Sequence, residues 1–549
     1  MEFELVNSDA LARIGRISLN DKELITPNLL PVIHPLRNLI STRDLSKMGI
    51  KALFTNAYTL YQNYDQRNAV LIKGIHDYLN FQGLVATDSG AFQQYMYRDG
   101  EIEIEATEIE NFQEKIGSDF PVILDLPVQL DDDYESAKEK VKLTLSRARE
   151  NIKRRKNENC AWLGPIHGGK YLNLVKKCTS IMDRLDFEIY AIGGLVKAFL
   201  NYRFNLVLKI LLTARKNLTP NKPLHMFGLG LPQFFSLAVA FGCDLMDSAA
   251  YILYARENRY FTLSTGTRKL QELEEFPCHC PVCLTYSPKE LMSFEEKLRV
   301  KLIAEHNLYL SISELRTIRQ AIRDGNLWEL VELRIRNHPN LVMAARLLSK
   351  NKNFFEIYEK VIKRHGRLYS SYESLNRPII YRYISKLSSY YRVPEDARYL
   401  LILPELDIKS FNSPSIQNWI KNINGNLKIQ RKYIHIVFCS QIYGIIPFEL
   451  LDTFPMGQYE SIKAVNENDI IYQNSLNYCL KFFQKHYKNY KKCAILIPKR
   501  YINQFNEIKK FSTYHPLNGL DQYLKKIFNS NFLISNNIED IVQFFEENY

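Results

Sequence analysis

The 549-residue sequence has no apolar run long enough to cross a membrane. Its longest apolar stretches, such as Phe234–Gly242, reach about half of the ~20 residues that a membrane-spanning helix needs. The first residues, Met1-Glu2-Phe3-Glu4, are acidic and lead into no apolar core, so we expect no signal peptide and no membrane partner. With 46% apolar and 24% charged residues, the composition excludes wholesale disorder and predicts packed domains.

Disulfide pairing is not expected either. Nine cysteines are an odd number for a secreted, disulfide-stabilised protein. The simplest interpretation of the isolated cysteines is that they are reduced, buried thiols of a cytoplasmic protein. They are Cys160, Cys178, Cys243, Cys439, Cys479 and Cys493.

The positive charge is distributed unevenly. The whole chain has a net charge of +12, yet residues 1–350 contribute only +3 of it. Residues 351–549 hold 27 Lys and Arg against 18 Asp and Glu, together with 19 of the 34 tyrosines. Basic side chains neutralise phosphates and aromatic rings stack on bases, so this part could bind a polyanion. A solvated surface without such a partner explains the charge equally well.

Residues 1–345 alternate short apolar runs with segments of helical periodicity such as Tyr134–Lys156 and Phe199–Lys216. Repeated strand–helix units predict an α/β fold, and their number favours a (β/α)8 TIM barrel. A doubly wound sheet is the alternative, but no G-x-G-x-x-G motif follows the first strand. The predicted strands are Ala52–Thr55, Gly83–Thr87, Pro121–Leu124, Trp162–Ile166, Ile189–Ile192, Leu224–Gly228 and Leu245-Met246.

Residues 346–549 have a different pattern, which predicts a separate accessory domain of α/β or α+β class. We expect strands at Tyr399–Pro404, Tyr433–Cys439 and Ala494–Pro498. Helices are expected at Phe354–Arg364, Leu476–His486 and Leu520–Phe528.

Polar residues and glycines follow five of the predicted strands of residues 1–345. The carboxyl ends of barrel strands are where barrel enzymes place their catalytic groups. An acidic residue in such a place can also cap the next helix, but five in order favour a functional site. These residues are Asp88, Asp125, His167, the Gly193-Gly194 pair and Asp247.

Three clustered cysteines predict a zinc site adjacent to or inserted in the barrel. Cys278, Cys280 and Cys283 lie within six residues, and His306 follows on a segment of helical periodicity. Three thiolates and an imidazole complete a tetrahedral Zn²⁺ shell and leave no position for water, so the ion would be structural. His279 is the competing ligand, but its position between two cysteines makes joint coordination strained.

Two Asp-Ser units, Asp88-Ser89 and Asp247-Ser248, point to glycosyl chemistry. One carboxylate can attack an anomeric carbon while the other handles protons at the leaving group. Asp125 could accept hydrogen bonds from a purine N1–H and its exocyclic amine, and Phe92 could stack on a ring. A glycosidase on free sugars, or a divalent-metal hydrolase, would fit the same residues almost as well.

Taken together, these motifs resemble the tRNA-guanine transglycosylase family and its archaeal, archaeosine-forming branch. The resemblance covers roughly residues 20–345 with order and spacing intact. The matching strings are Thr55-Asn56-Ala57-Tyr58, Thr87-Asp88-Ser89-Gly90-Ala91-Phe92-Gln93, Gly164-Pro165-Ile166-x-Gly168-Gly169, Ala191-Ile192-Gly193-Gly194, Phe227-Gly228-Leu229-Gly230, Met246-Asp247-Ser248-Ala249 and the Cys-x-Cys-x2-Cys…His cluster.

The resemblance implies an enzyme that exchanges a guanine in tRNA for a 7-deazaguanine base. It makes Asp247 the nucleophile on the ribose C1′ and Asp88 the general acid/base. Zinc would support a homodimer interface. The residues implied to bind the base are Asp125, Ser89, Phe92, His167, Gly193 and Gly194, and those implied to bind zinc are Cys278, Cys280, Cys283 and His306.

Two features favour the archaeal branch, whose base is preQ0 and whose target is guanine 15 of the D-arm. Gly194-Leu195-Val196 is apolar and suits the neutral nitrile of preQ0. The extension from Cys439-Ser440-Gln441 to Tyr459 resembles a module of archaeosine-pathway enzymes, which implies that residues 346–549 bind tRNA.

The sequence departs from the family pattern in two ways. His167 stands where the family usually has Gln. The small Gly-rich barrel pattern of a PUA domain is not found after Leu496-Ile497-Pro498, so we expect a PUA unit to be supplied, if at all, by a separate protein. The alternative hypothesis is a non-catalytic or altered-specificity tRNA-binding paralogue, and a zinc-containing glycosidase is the third.

Overall fold

The structure is a computed structural model that describes residues 1–91, 104–155, 159–405, 413–426, 430–497 and 515–547. The chain divides into two compact units, Met1–Leu347 and Leu348–Tyr549. No helix among the described residues is both long and apolar enough to cross a membrane.

The first unit begins with an antiparallel three-stranded sheet that the sequence analysis did not predict. Its strands are β1 (Glu2–Asp9), β2 (Ala12–Leu19) and β3 (Lys22–Ile25). Apolar side chains of β2 and β3, including Ile17 and Leu24, belong to the buried cluster that also takes in the parallel strands.

Among the described residues of the first unit, eight parallel strands follow. Five of them form one sheet in the order β4-β11-β10-β9-β8, and three form another in the order β5-β6-β7. Isolated parallel bridges join Val32 to Phe54 and Val122 to Leu163. The strands are β4 (Asn28–Pro31), β5 (Ala52–Asn56), β6 (Leu84–Asp88), β7 (Phe120–Pro121), β8 (Leu163–Ile166), β9 (Ile189–Ile192), β10 (Leu224–Met226) and β11 (Leu245–Ser248).

All seven predicted strands of this unit are present, and β4 is an eighth that was missed. The strand predicted at Pro121–Leu124 is shorter: Val122 still bridges to Leu163, but side chains make the hydrogen bonds of Val122 O and Leu124 N. Gln113 Nε2 donates to Val122 O at 2.9 Å, and Leu124 N donates to Glu110 Oε1 at 3.2 Å.

The helix predicted at Phe199–Lys216 is two helices, because Tyr202 takes a left-handed φ of 51° between them. The α-helices of the first unit are Thr42–Lys47, Ala57–Gln62, Tyr64–Lys73, Ile75–Leu79, Ala106–Lys115, Tyr134–Arg154, Leu172–Leu185, Val196–Leu200, Phe204–Arg215, Pro232–Ala240, Ala250–Arg256, Pro281–Thr285, Pro288–Ser293, Glu296–Asp324, Leu327–Ile335 and Pro339–Ala345. A short antiparallel hairpin of β12 (Arg259–Thr262) and β13 (Gly266–Lys269) precedes the cysteine cluster. Leu347–Lys350 forms a further helix where the two units divide.

The second unit contains a mixed five-stranded sheet in the order β17-β16-β15-β19-β20. The predicted strands correspond to β15 (Tyr399–Pro404), β16 (Ile434–Ser440) and β19 (Lys492–Leu496). The remaining strands are β14 (Arg367–Tyr369), β17 (Gly444–Pro447), β18 (Tyr459–Ser461) and β20 (Phe532–Ser535), and the α-helices are Lys352–Tyr358, Pro378–Tyr390, Pro414–Asn426, Ile470–His486, Leu517–Phe528 and Ile538–Glu546.

Candidate active site and metal centre

A cavity of about 450 Å³ lies where several parallel strands of the first unit end. Residues at or just beyond the carboxyl ends of β5, β6, β7, β8, β9 and β11 line it. The structure therefore brings together most of the predicted site, although these residues are far apart in the chain. The predicted residues in its wall are Asp88, Asp125, His167, Gly193, Gly194 and Asp247.

Asp88 is the last residue of β6. Burial raises the pKa of its carboxyl group to about 7, and the negative charges of Asp125 and Asp247 add to this shift. Two hydrogen bonds oppose it: Gly90 N donates to Oδ1 at 3.2 Å, and Asn56 Nδ2 donates to Oδ2 at 3.3 Å. A carboxyl group with this pKa exchanges protons readily near neutral pH.

Asn56 is a site residue to which the sequence analysis gave no role. It ends β5 directly opposite Asp88 in the parallel pairing of β5 with β6. Its Oδ1 accepts from Thr59 N at 2.7 Å, which caps the following helix and holds the amide in place. In the sequence, only the position of Asn56 could have indicated this role, because Asn56 and Asp88 both directly follow a predicted strand.

Asp247 lies in β11 and is 8% exposed. Its Oδ1 accepts a hydrogen bond from His225 Nε2 at 2.7 Å and another from Gly228 N at 3.3 Å. Within the described part of the chain, Oδ2 accepts no hydrogen bond. One carboxylate oxygen is thus held by two donors while the other remains available to a ligand.

The sequence also did not indicate His225 as a site residue. It lies inside the apolar strand β10, where a residue is expected to belong to the core. It is 1% exposed, and its ring contacts Phe54 and Phe227 with centroids 6.0 and 5.0 Å away. This packing fixes the plane of the imidazole, so Nε2 is held toward Asp247.

Asp125 and His167 form a second buried pair, with His167 Nε2 2.5 Å from Asp125 Oδ2. An ionised carboxylate only accepts, so His167 donates through Nε2. His167 Nδ1 is buried and has no hydrogen-bond partner among the described residues. Asp125 remains 7% exposed where it lines the cavity.

Glycine is required at positions 193 and 194, because the chain passes close to other groups there. A Cβ on Gly193 would lie 2.4 Å from Cε1 of His167. Gly194 has a φ of +75°, and a Cβ on it would lie 2.3 Å from the carbonyl oxygen of Val128. Any side chain at either position would displace this part of the wall.

Two predicted base-binding residues are not in the described wall of the cavity. Ser89 is fully buried, and its hydroxyl donates to Ile123 O at 3.2 Å. Its predicted contact with a base stays a prediction. Phe92 lies outside the described residues.

The four predicted metal ligands come together away from the cavity. The ligand atoms of Cys278, Cys280, Cys283 and His306 all lie within 4.8 Å of one another. Sγ of Cys280 and of Cys283 are 3.5 Å apart, and His306 Nδ1 is 3.5 and 3.3 Å from them. The competing ligand His279 is exposed and does not belong to this group.

The surroundings of His306 orient it for metal binding. Its Nε2 lies 3.0 Å from Phe261 O, so the ring donates there and presents Nδ1 to the thiols. The ring of Tyr260 stacks on the imidazole at 3.6 Å, and its hydroxyl is 3.2 Å from Cys283 Sγ. This donor set can hold a metal ion.

The fold and the two sites define an α/β protein with carboxylates around one cavity and a separate Cys3His cluster. A family model described as queuine tRNA-ribosyltransferase matches residues 8–340. The chain belongs to this family, the tRNA-guanine transglycosylases.

Archaeal proteins named tRNA-guanine(15) transglycosylase are similar along most of the chain. The protein of Methanococcus maripaludis strain S2 is 37% identical over 521 residues, which are 94% of this chain and 77% of that protein. The protein of Methanocaldococcus jannaschii is 37% identical over 518 residues, 93% of this chain and 76% of that protein. The protein of Archaeoglobus fulgidus is 36% identical over 476 residues, 86% of this chain and 90% of that protein.

Proposed function

We propose that this protein exchanges guanine 15 of the tRNA D-arm for the 7-deazaguanine base preQ0 in archaeosine biosynthesis. One observation carries the proposal: Asp88 and Asp247 line one cavity and differ in their surroundings. Burial raises the pKa of Asp88 to about 7, whereas two donors hold Asp247 as an acceptor. The names of the archaeal relatives support the same reaction.

The eight parallel strands are best explained as a closed (β/α)8 barrel. The two isolated bridges join the three-stranded sheet to both edges of the five-stranded sheet. One buried cluster also takes side chains from seven of the strands; examples are Leu30, Phe54, Ala86, Phe120, Leu163, Ala191 and Leu245. In a barrel, such residues fill the interior and leave the carboxyl ends of the strands for the site.

Asp247 acts as the nucleophile through Oδ2. This oxygen attacks C1′ of the ribose, the C1′–N9 bond to guanine breaks, and a covalent ester forms between enzyme and tRNA. The hydrogen bonds from His225 Nε2 and Gly228 N keep Oδ1 in place, so Oδ2 is the oxygen that can reach C1′.

Asp88 acts as the general acid and then as the general base. Its protonated form gives a proton to the departing guanine, and the resulting carboxylate takes a proton from the entering base. N9 of that base then attacks C1′ and displaces Asp247. A pKa of about 7 serves both steps, because both forms of the group are populated near neutral pH.

The base is recognised by the pair Asp125 and His167. The carboxylate of Asp125 accepts from N1–H and the exocyclic amine of a guanine-like base, and its hydrogen bond with His167 fixes its orientation. Leu195 and Val196 in the cavity wall provide an apolar surface for a neutral nitrile.

The Cys3His cluster holds one Zn²⁺ in a structural role. Zn–S bonds of about 2.3 Å and a Zn–N bond of about 2.0 Å place tetrahedral ligand atoms about 3.5–3.8 Å apart. The separations of 3.3–3.5 Å between Cys280, Cys283 and His306 are close to this. With four protein ligands the ion leaves no position for substrate, so it stabilises the fold.

Residues 348–549 bind tRNA as an accessory domain. Lys481, Lys488, Lys525 and Lys526 are exposed on the helices Ile470–His486 and Leu517–Phe528 or directly after them. They can neutralise backbone phosphates. The homodimer, the cytoplasmic location and a separate PUA-domain partner stay predictions.

The decisive experiment measures incorporation of labelled preQ0 into an archaeal tRNA transcript with guanosine 15, beside a transcript with adenosine 15. The wild type is expected to label only the first transcript and to form a covalent complex that survives a denaturing gel. Asp247→Ala is expected to do neither. The matched control is Asp186→Asn, which alters an exposed carboxylate just before β9 and should behave as wild type.

Two results would contradict the proposal. Wild-type protein that labels no tRNA would exclude the exchange reaction. Equal labelling by Asp247→Ala would exclude Asp247 as the nucleophile.

A further inference from the structure

Gln129 lines the same cavity as the paired carboxylates and is 4% exposed. It lies in the loop between β7 and the helix Tyr134–Arg154. Its backbone is fixed by a turn in which Gln129 N donates to Asp132 Oδ2 at 2.7 Å and Asp132 N donates to Gln129 O at 3.3 Å. Lys140 Nζ lies 2.7 Å from the same carboxylate and holds it in place.

The loop that carries Gln129 and the ring of His167 belong to one wall. A Cβ on Gly194 would lie 2.3 Å from the carbonyl oxygen of Val128, the neighbour of Gln129. The same Cβ would lie 3.9 Å from His167 Nδ1. The segment Val128-Gln129 and the imidazole thus approach Gly194 together.

Each of these two side chains has a buried polar atom without a partner. Gln129 Nε2 and His167 Nδ1 have no hydrogen-bond partner among the described residues. A buried amide N–H that stays unpaired is costly, so a ligand in the cavity is expected to supply its acceptor.

The tautomer of His167 determines which of the two atoms can donate. His167 Nε2 carries the proton that it donates to Asp125 Oδ2, so Nδ1 of the neutral ring is an acceptor. A guanine-like base bound with its N1–H toward Asp125 presents the O6 carbonyl beside that contact. Because O6 is an acceptor as well, the neutral imidazole cannot satisfy it, whereas the Gln129 amide can.

We propose that the side-chain amide of Gln129 donates a hydrogen bond to O6 of the bound base and is a specificity-determining residue of this pocket. The inference rests on the proposed function for the identity of the base. The amide thus complements Asp125: the carboxylate reads the donors of the base, and Gln129 reads its carbonyl. Bases without a 6-oxo group would leave the amide unpaired and bind more weakly.

Calorimetric binding of free guanine and of 6-thioguanine to the full-length protein tests the contact without tRNA. The thiocarbonyl is a weaker acceptor, while N1–H and the 2-amine are kept. Wild type is expected to prefer guanine. The affinity of Gln129→Leu for guanine is expected to be about ten- to a hundredfold lower than that of wild type. The ratio of its affinities for guanine and for 6-thioguanine is expected to fall toward one.

Gln129→Glu provides a second variant of nearly the same volume, in case Gln129→Leu does not fold. It replaces the donor amide with a carboxylate and should lose affinity for guanine in the same way. Gln320→Leu, on the exposed face of the helix Glu296–Asp324, is the matched control and should bind as wild type.

The outcomes separate this contact from the exchange reaction. An unchanged preference for guanine in both Gln129 variants would overturn the inference, as would a wild type that binds neither base. A wild type that binds guanine in a Gln129-dependent way but labels no tRNA would uphold the contact and reject the proposed function.

Discussion

The imidazole of His225 donates through Nε2 to Oδ1 of Asp247 at 2.7 Å, and both residues are buried. The two lie on the neighbouring strands β10 and β11, which pair in parallel. The hydrogen bond holds one carboxylate oxygen while Oδ2 remains available to a ligand. This relationship gives His225 a positioning role for the proposed nucleophile.

Replacement of His225 should therefore slow the chemical step. His225→Leu removes a hydrogen bond to a charged group, so the single-turnover rate of covalent-complex formation is expected to fall about ten- to a hundredfold. His225→Gln, which keeps an N–H donor, should restore part of the rate. Binding of tRNA should be nearly unchanged in both variants. Equal rates for wild type and His225→Leu would remove the positioning role.

The rate of covalent-complex formation should depend on the protonation of Asp88. Because burial raises its pKa to about 7, the acid form that protonates the leaving guanine is lost above that pH. The single-turnover rate is expected to be level below about pH 7 and to fall about tenfold per pH unit above it. Asp88→Asn should form no complex at any pH. A rate independent of pH from 6 to 9 would contradict the assignment.

The same carboxyl group should affect stability. Its pKa in the unfolded chain is the ordinary 3.8, so between about pH 4 and 7 the unfolded state releases a proton that the folded state keeps. The contribution of Asp88 to the free energy of unfolding of wild type therefore falls as the pH rises from about 4 to 7. Above about pH 7 this contribution no longer changes with pH. Relative to wild type, Asp88→Asn should gain stability steadily from pH 4 to 7 in denaturant titrations.

Asp131→Asn serves as the control for this measurement. The hydrogen bond from Lys197 lowers the pKa of Asp131, so its carboxylate is ionised in both states over most of the window. Its stability difference from wild type should stay constant there. If the free energy of unfolding of Asp88→Asn also differed from that of wild type by a constant amount over this pH range, the raised pKa of Asp88 would be contradicted.

Loss of one thiol should remove the metal. Purified wild-type protein is expected to contain about one zinc per chain by elemental analysis, and Cys280→Ala much less. The melting temperature of Cys280→Ala should be lowered, and a chelator should lower that of wild type. Cys178→Ala removes another buried thiol outside the cluster and should keep the zinc. Wild-type protein prepared without chelator and free of zinc would exclude the Cys3His site.

Charge reversal in the second unit should weaken tRNA binding. Lys481→Glu with Lys488→Glu is expected to lower affinity and to reduce the dependence of affinity on salt, because fewer counterions are released. Filter binding over a range of salt concentrations measures both. Lys176→Glu with Lys177→Glu, exposed on the helix Leu172–Leu185 of the first unit, is the matched control. Equal effects of the two pairs would exclude a specific tRNA surface at Lys481 and Lys488.

The sequence predicted the parallel strands well because buried strands are continuous apolar runs with polar residues where they end. Asp88, Asp125 and Asp247 were found in this way. The antiparallel β1–β3 sheet was missed, since the pattern of exposed and buried residues along β1 and β3 is irregular. β4 was missed although it is a buried run like the other parallel strands. The helix break at Tyr202 was missed because a left-handed residue other than glycine leaves no clear local signal.

By itself the sequence determined the strand–helix alternation, the residues at the strand ends, and the Cys3His set whose spacing is that of metal ligands. Only the tertiary structure decided which side chains act on which. His225 and Asn56 lie 22 and 32 residues from the carboxylates they contact, and Gln129 differs from other glutamines only in its surroundings. Orientation, burial and the pKa of Asp88 depend on groups that folding brings together, so no local pattern encodes them.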